Sequence, residues 1–483
     1  MWRIPVIVAL VAGLLYWGRK QASQPSRKIP QPRIGLPVVG DAQAFGKSPI
    51  SYIRQATARC GPVFQINLLL TKIVMLRGAQ LNRFYLDTRE EVWSFGDGMG
   101  LFLEKVVVPG YLSHLKEMVS SLNRGVNRSI ALEHYTRIAG EEARKIATNW
   151  AEKPDIEVFE QMSRYTHRVI VRCLMGQDFY DHHLDELLDL LHRMEADIGH
   201  PFHFLLPNWV PHGPARRLHH ARDRMAAIFN ERLQAREQNP EKWQDSLDYI
   251  AYTLKDSRTA HLRQYFAAHH TLLMFAAHTS TVASIAWTVL ELLRNPTHLE
   301  ALKTALATDA DIHRSPTLTA TLKETSRRYS GVNMIRWARQ PHQLPADAAA
   351  PGKGNIMVPE NCIVSISPYL THHDPVTYAD PHIWDPTRWL EGGRLSETQK
   401  SNRSEVTYFP FGAGCHRCPG EQMAGMIARE MVAHMVKTYD VRWSSTGPPE
   451  DFEQLDFSRV GSAWLKGDAR VTVKRDNLGM EEA

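Results

Sequence analysis

"FPFGAGCHRCPGEQMA", residues Phe409–Ala424, contains Cys415 and Cys418, two of the five cysteines of this 483-residue chain, in a C-x-x-C spacing. This spacing occurs in zinc sites, in dithiol redox pairs and in covalent haem attachment. A structural zinc site needs about four Cys or His ligands in paired spacing, and no second pair lies at a familiar distance. Covalent attachment requires a histidine after the second cysteine, where this chain has Pro419. No small βαβ unit of the thioredoxin type surrounds the pair, so the two cysteines are not expected to act together.

The composition is that of an ordinary globular protein that can bury a large core. Hydrophobic residues make up 43% of the chain and charged residues 23%. The net charge of +5 is mild and gives no argument for binding nucleic acid. Because the cysteine count is odd and Cys60, Cys173 and Cys362 are scattered, the sequence indicates a reducing compartment rather than a disulfide scaffold.

The first 38 residues are not expected to belong to the globular body. The segment Ile4–Trp17 is apolar throughout, although a full membrane span needs roughly 17–25 residues. No small-x-small cleavage site follows directly and basic residues do, which favours a retained anchor over residues 1–20 rather than a cleaved signal peptide. Basic residues stay on the cytosolic side, so the body should face the cytosol. A Pro-rich basic linker over residues 21–38 and a catalytic body over residues 39–483 complete the predicted organisation.

The body has a helix-rich pattern, and its longest predicted helix runs from Gln264 to Asn295, before Pro296. A helix of this length crosses a whole domain, and its nearly all-round apolar surface predicts burial. Its middle nevertheless carries the polar run His278–Thr281. Taken alone, this run is explained by hydroxyls that bond carbonyls of their own helix and by a histidine that is satisfied in the core.

The residues around Cys418 are more specific than the C-x-x-C spacing. FGAGCHRCPG fits the pattern F-x-x-G-x-[H/R]-x-C-x-G through Phe411, Gly414, His416, Cys418 and Gly420. This segment resembles the haem-binding signature of the cytochrome P-450 family of haem-thiolate monooxygenases. The resemblance implies that Cys418 is the axial thiolate ligand of a haem b iron and that His416 pairs with a haem propionate. The other cysteine of the pair would be a bystander.

Two physical features agree with this resemblance. Glycines allow the backbone to turn sharply and to approach a cofactor closely. A helix is predicted just after the cysteine, with an apolar stripe at Met423, Ile427, Met431 and Met435. Its N-terminal dipole and free amides are expected to favour a thiolate at Cys418.

Two further motifs follow in the order of the family. "KETSRR" places Glu324 and Arg327 on one helix face, which alone is a common surface pairing, and "DPTRW" supplies Arg388. The resemblance implies that these three residues form a buried charge cluster beneath the haem loop. Their role would be folding and haem retention rather than bond-making.

The long helix resembles the oxygen-activating segment of the family, which usually reads A/G-G-x-D/E-T. In "FAAHT", Ala276 replaces the glycine, His278 replaces the acid and Thr279 is kept. The His-Thr pair resembles the sterol 14α-demethylase branch, as does "SPYLTHHDPVTYADPHIWDPTRW", and the resemblance covers roughly residues 30–443. It implies that Thr279 hydrogen-bonds dioxygen and that His278 relays protons. Arg336, in "NMIRWARQ", matches a position that pairs with a propionate.

The chain also departs from that branch. "FGDGMGLFLEKVVVPGYLSHLKEM" keeps little of the branch motif, and no clear W-x-x-x-R haem contact is found. Together with the alanine in the oxygen groove, these changes favour a specialised relative over a housekeeping sterol demethylase. The overall character of the sequence, rather than any single residue, suggests a fungal secondary-metabolite enzyme that acts on sterols or triterpenoids, of the kind that tailors fusidane-type triterpenoids.

The predicted fold is mainly α with small β-sheets, a cytochrome P-450 fold behind a membrane anchor. The predicted reaction inserts one atom of dioxygen into a C–H bond of a lipophilic substrate, as hydroxylation or oxidative demethylation. Because the chain has no flavin or dinucleotide domain, electrons from NADPH would come through a separate NADPH–cytochrome P-450 reductase at the endoplasmic reticulum membrane. Two alternatives stay open: a haem-thiolate isomerase or dehydratase that needs no oxygen, and a zinc or dithiol protein that uses both cysteines of the C-x-x-C.

Overall fold

The computed structural model of the chain describes residues 29–34, 41–68, 71–200, 202–205, 210–331, 333–349, 356–393, 406–444, 447, 455–457 and 462–475. The predicted anchor, residues 1–20, lies outside the described residues, and of the predicted linker, residues 21–38, only 29–34 are described. The chain divides into two compact units. The smaller unit comprises Met1–Ser94 and Ile335–Ile366, and the larger unit comprises Phe95–Met334 and Ser367–Ala483.

The smaller unit is built on a five-stranded sheet of β1 (Val63–Leu68), β2 (Thr71–Leu76), β3 (Trp93–Ser94), β5 (Met334–Ala338) and β8 (Ile363–Ile366). The order of these strands in the sheet is β1–β2–β8–β5–β3. β1 and β2 form an antiparallel hairpin, and β8 joins β2 in parallel. All four residues of β8, three of which are β-branched, are buried, as expected for an interior strand. The helices of this unit are Ala42–Lys47, Pro49–Cys60, Ala79–Asp87 and Ala346–Ala349, and a short ladder pairs β6 (His342–Gln343) with β7 (Met357–Val358).

The larger unit is mainly helical. Its α-helices are Phe95–Leu103, Leu115–Val126, Ser129–Ala147, Val158–Ile170, Gln177–Ile198, Phe202–Leu205, Gly213–Gln238, Tyr249–Lys255, Phe266–Arg294, Pro296–Thr308, Pro316–Arg328, Pro368–His372 and Glu421–Thr438. Shorter 3-10 turns cover Tyr111–His114, Pro240–Trp243, Ser257–Tyr265, Pro386–Trp389 and Gly414–His416, and Val171–Met175 is a π-helical turn. Its small sheets contain β4 (Ile156–Glu157), β9 (Tyr439–Trp443), β10 (Leu455–Asp456), β11 (Trp464–Leu465) and β12 (Arg470–Arg475). The predicted mainly α fold with small sheets is confirmed.

The long helix, Phe266–Arg294, crosses the core of the larger unit. It ends before Pro296 with Asn295 as its cap, so the predicted bounds are correct to within two residues. With the preceding 3-10 turn it is the one helix, among those described, that is long and apolar enough to cross a membrane. However, 78% of its apolar window is buried inside the protein, which identifies it as a core helix.

The helix Glu421–Thr438 follows the predicted cysteine segment. All four residues of its predicted apolar stripe, Met423, Ile427, Met431 and Met435, are buried. Burial of this stripe fixes the helix against the core, and its first turn therefore holds the preceding loop in place.

Candidate active site

The cysteine loop, Phe409–Gly420, turns sharply before the helix that follows it. Gly412 and Gly414 have φ angles of +71° and +66°, which side chains other than glycine rarely adopt. The Cys418 N–H donates to the Phe411 carbonyl at 2.8 Å and closes the loop. The backbone of the loop therefore requires glycine at the signature position Gly414 and at Gly412, which lies outside the signature, whereas the signature residue Gly420 has an ordinary φ of -90°.

The two cysteines of this loop are both free thiols with exposed side chains. Although the Cys418 side chain is exposed, loss of solvent around its sulfur raises the pKa of the thiol. The Glu421 carboxylate raises this pKa further, whereas the Gly420 N–H, which hydrogen-bonds the sulfur, lowers it. The helix terminus alone thus does not lower the pKa as the sequence led us to expect. A metal ion coordinated by the sulfur would favour the thiolate.

His416 lies on the 3-10 turn Gly414–His416, two residues before Cys418. Its half-buried ring stacks on Phe95, with 4.4 Å between ring centroids and 18° between the planes. The exposed thiol of Cys418 lies on a loop with a fixed backbone, and the imidazole of His416 beside it can donate to a carboxylate. These two donors fit a haem, which has an iron and propionate groups.

Arg336, also predicted to hold a propionate, lies on β5 in the smaller unit and is 2% exposed. Its guanidinium donates to the Thr88 carbonyl at 2.7 Å and to the Leu86 carbonyl at 3.4 Å. The guanidinium carbon also lies 4.8 Å from the centre of the Tyr85 ring. The side chain is therefore held rigidly, and its pairing with a propionate stays a prediction.

The structure brings Glu324, Arg327 and Arg388 together. Arg327 makes a two-pronged ion pair with Glu324, at 2.8 and 2.9 Å, and both side chains are fully buried. Arg388 Nε lies 3.4 Å from Glu324 Oε1. The Asp385 N–H and the Trp389 indole N–H donate to the same carboxylate at 3.0 and 2.9 Å. The helix Pro316–Arg328, which carries Glu324 and Arg327, is thus bound to the segment that carries Arg388.

Arg327 uses its full hydrogen-bonding capacity. Besides the two bonds to the carboxylate, it donates to the carbonyls of His372 at 2.6 Å, Pro381 at 2.9 Å and Ile383 at 3.2 Å. An arginine has five N–H donors, and each of them finds an acceptor here. A lysine, with three donors and no planar fork, could not replace it.

His372 links this charge cluster to the cysteine loop, and the sequence analysis missed it. Its Nε2 accepts the N–H of Phe409 at 3.0 Å, and its Nδ1 lies 2.8 Å from Ser330 Oγ. Burial lowers the pKa of His372 to about 3, and the charge of Arg327 adds to the effect, so the ring is neutral. The hydrogen must then sit on Nδ1 and be donated to Ser330, since Nε2 is an acceptor. The only sequence signal was the double histidine in "LTHHDP".

We expect His372→Phe to weaken the cysteine loop without unfolding the chain. The change leaves the buried Phe409 N–H without an acceptor, at a cost of roughly 1–3 kcal/mol. The measurement is the rate at which the carbon-monoxide complex loses its thiolate band on standing, which should rise.

His373→Phe is the matched control for this variant, because the neighbouring buried ring contacts the Tyr369 carbonyl through Nδ1 rather than the loop. His372→Gln, whose side-chain oxygen can accept the same amide, should restore part of the lifetime of the band. Equal losses in His372→Phe and His373→Phe would show that only general packing is disturbed.

Thr279 and His278 meet on one carboxylate, that of Glu195 in the helix Gln177–Ile198. The Thr279 hydroxyl donates to Glu195 Oε1 at 2.5 Å, and His278 Nδ1 lies 2.9 Å from the same oxygen. Burial alone would raise the pKa of Glu195, but the hydrogen bonds and charge of His278 and the Thr279 hydroxyl hold it below its ordinary value. Glu195 is therefore a carboxylate that accepts from both residues, which assigns a hydrogen to His278 Nδ1.

The other nitrogen of His278 begins a series of hydrogen bonds that leads to the protein surface. Its Nε2 lies 3.1 Å from Ser163 Oγ, which is also 3.1 Å from Nε2 of the exposed His192. A set of hydrogen bonds thus runs from His192 at the surface to Thr279 in the core. Its members Glu195 and Ser163 lie 83 and 115 residues from His278 in the chain, and neither carries a motif, so no sequence signal identified them.

The long helix has an open face, which we define as Ala276, Ala277 and Ser280. Ala276 is exposed and the other two are half-buried, in the middle of a helix that is otherwise mostly buried. His278 is 0% exposed and Thr279 is 3% exposed. Residues four positions apart share a helix face, so Ser280 lies on the same face as Ala276.

Within the described ranges, no group of three or more His, Cys, Asp or Glu side chains is arranged to hold a metal ion. The two cysteines of the loop are not bonded to each other. Zinc bound by these two cysteines would therefore lack its further ligands among the described residues.

Comparisons with known proteins bear on the fold and the enzyme class. A family model described as Cytochrome P450 matches residues 30–463. The chain is 98% identical, over all of both chains, to the cytochrome P450 monooxygenase pynD of Aspergillus niger. It is 26% identical to a sterol 14-demethylase of Arabidopsis thaliana, over 98% of this chain and 97% of that relative. Among solved structures, retinoic acid bound cyanobacterial CYP120A1 has the same fold, with a TM-score of 0.75 and 18% identity over 94% of this chain and all of that chain.

These matches confirm the resemblance on which the predicted fold, enzyme class and cofactor rested. Cys418 lies within the matched region, and the weaker similarity to sterol 14-demethylases is also confirmed. The chain therefore belongs to the cytochrome P450 family of haem-thiolate monooxygenases.

Proposed function

We propose that this enzyme inserts one oxygen atom into a C–H bond of a sterol- or triterpenoid-like substrate, by hydroxylation or oxidative demethylation, in fungal secondary metabolism. The observation that best supports this reaction type is the exposed Cys418 thiol. Its loop is hydrogen-bonded through His372 to a buried charge cluster. The similarity to a sterol 14-demethylase supports the substrate class, and the 98% identity to an Aspergillus monooxygenase supports the fungal setting.

Each insertion of an oxygen atom into a C–H bond is balanced by one dioxygen, two electrons and two protons, and loss of a methyl carbon would need more than one such step. The substrate C–H becomes C–OH, and the second oxygen atom leaves as water. The electrons come from NADPH through a separate reductase. Haem, when bound, supplies the redox chemistry that activates dioxygen. The residues of this chain must therefore hold the cofactor, bind an apolar substrate and deliver protons in step with the electrons.

The residues proposed to hold the haem are those of the signature, with Cys418 as the iron ligand. His416 and Arg336 would each donate to a propionate, since both carry N–H donors that form charge-assisted bonds with carboxylates. Phe411, Gly414 and Gly420 would shape the loop around the sulfur. Glu324, Arg327 and Arg388 would retain the haem indirectly, because they hold this loop in place.

Protons are proposed to enter along the hydrogen bonds between His192 and Thr279. When His278 gains a proton at Nε2 through Ser163, its Nδ1 hydrogen can pass to Glu195. His278 would thus relay protons, as the sequence motif indicates, and Glu195 would be the acceptor that it shares with Thr279.

The enzyme is proposed to sit at the endoplasmic reticulum membrane, with its body in the cytosol. The apolar segment Ile4–Trp17 and the basic residues after it support a single anchor. This placement would bring an apolar substrate and a membrane-bound NADPH–cytochrome P450 reductase to the same surface.

The test is incubation of the full-length enzyme with reductase and NADPH against a panel of sterols and triterpenoids, followed by mass analysis. We expect a product with one added oxygen, or one that has lost a methyl carbon, from at least one member of the panel. Cys418→Ala, prepared in the same way, should give none. Turnover of non-terpenoid lipids alone would contradict the proposed substrate class.

A further inference from the structure

We propose that Ser280, rather than Thr279, supplies the hydroxyl that hydrogen-bonds the reacting dioxygen. The inference deepens the proposed function and rests on it. Thr279 would then be an internal member of the proton route, and Ser280 would be its last protein group.

The Thr279 hydroxyl already donates its hydrogen to another residue. A hydroxyl has one hydrogen to donate, and Thr279 donates it to Glu195 at 2.5 Å. The residue is 3% exposed, so its hydroxyl is not presented to a substrate or to dioxygen. One turn earlier on the same helix face stands Phe275, a large buried side chain that leaves little room beside Thr279.

Ser280 has the opposite surroundings. It lies on the open face, and one turn earlier on that face stands the exposed Ala276, which leaves space beside the Ser280 hydroxyl. No hydrogen bond ties this hydroxyl to any residue that the structure describes. The next hydroxyl, that of Thr281, is bound to the Ala277 carbonyl at 2.7 Å. Of the run His278–Thr281, Ser280 is thus the member with a hydroxyl available on an open surface.

Successive residues of a helix are rotated by about 100°, so Ser280 and Thr279 point to adjacent sides of the helix. A water molecule held between the two hydroxyls would connect the route that ends at Thr279 with the open face. Proton supply and oxygen contact would then be divided between two neighbouring residues.

The experiment compares Ser280→Ala with Thr281→Val and Thr279→Val in the haem-loaded, full-length enzyme. The first readout is the infrared stretching frequency of bound carbon monoxide, which responds to a nearby hydroxyl and does not depend on turnover. We expect Ser280→Ala to shift this frequency, Ser280→Thr to restore it, and the other two variants to leave it unchanged.

The second readout is coupling, measured as product formed per NADPH consumed with hydrogen peroxide counted. Ser280→Ala should divert most electrons to peroxide, in which dioxygen takes up two electrons and two protons without attack on the substrate. Thr281→Val should couple as the parent does. A frequency shift in Thr279→Val with none in Ser280→Ala, or no shift in either, would overturn the assignment. Because the frequency needs no substrate, this result is independent of whether the sterol panel is turned over.

Discussion

Cys418→Ala should abolish the carbon-monoxide difference band that marks thiolate ligation in this family, whereas Cys415→Ala should keep it. Both thiols are exposed and lie three positions apart, so exposure does not distinguish them. What distinguishes Cys418 is its fixed backbone: its N–H is bound to Phe411, and the Gly420 amide is directed at its sulfur. Of the two cysteines of this loop, Cys418 is the one held in this way, so its removal should remove the iron ligand and with it all turnover.

The measurement is the reduced carbon-monoxide spectrum of each variant, normalised to protein. Cys415→Ala is the matched control, since the same atom is deleted from the same loop. Loss of the band in both variants would contradict the assignment of Cys418 alone as the iron ligand.

Replacing Glu324 or Arg327 by alanine should prevent isolation of haem-loaded protein. Either change leaves the partner charge buried and unpaired, which costs roughly 3–5 kcal/mol. Domains of ordinary stability unfold at a cost of about 5–15 kcal/mol, so this loss is a large share of the total. The Glu324 variant also strips the acceptor from the Asp385 amide and the Trp389 indole, and so loosens the segment that carries Arg388.

The readout is haem content per chain and the soluble fraction after mild purification. An ion pair on the surface serves as control: Glu160 and Arg164 lie 3.0 Å apart on one helix, with side chains 55% and 54% exposed. Glu160→Ala should change haem content little, because exposed pairs contribute little to stability. Full haem content in Glu324→Ala would show that the cluster does not hold the loop.

The cysteine loop and the long helix could be predicted from the sequence because their signals are local. The glycine positions report backbone turns, and the apolar stripe after Cys418 reports a buried helix face. The cluster of Glu324, Arg327 and Arg388 was different: its spacing fits any surface pair, and only the family resemblance indicated burial.

The remainder of the site could not be predicted because it depends on contacts between distant segments. His372 reaches the loop across 37 residues, and Glu195 reaches His278 across 83. Which hydroxyl of the long helix faces outward depends on which neighbours pack beside it. The motif singled out Thr279, whereas packing leaves Ala276 and Ser280 on the open face.

The most direct test of the account is the origin of the oxygen atom in the product. The enzyme, its reductase and NADPH are supplied with a turned-over substrate under isotopically heavy dioxygen in ordinary water, and the product is analysed by mass. A monooxygenase that hydroxylates a C–H bond should place one heavy atom in each hydroxylated product, and heavy water under ordinary dioxygen should place none. A product that forms without dioxygen, or that takes its oxygen from water, would contradict the account and favour a haem-thiolate isomerase or dehydratase.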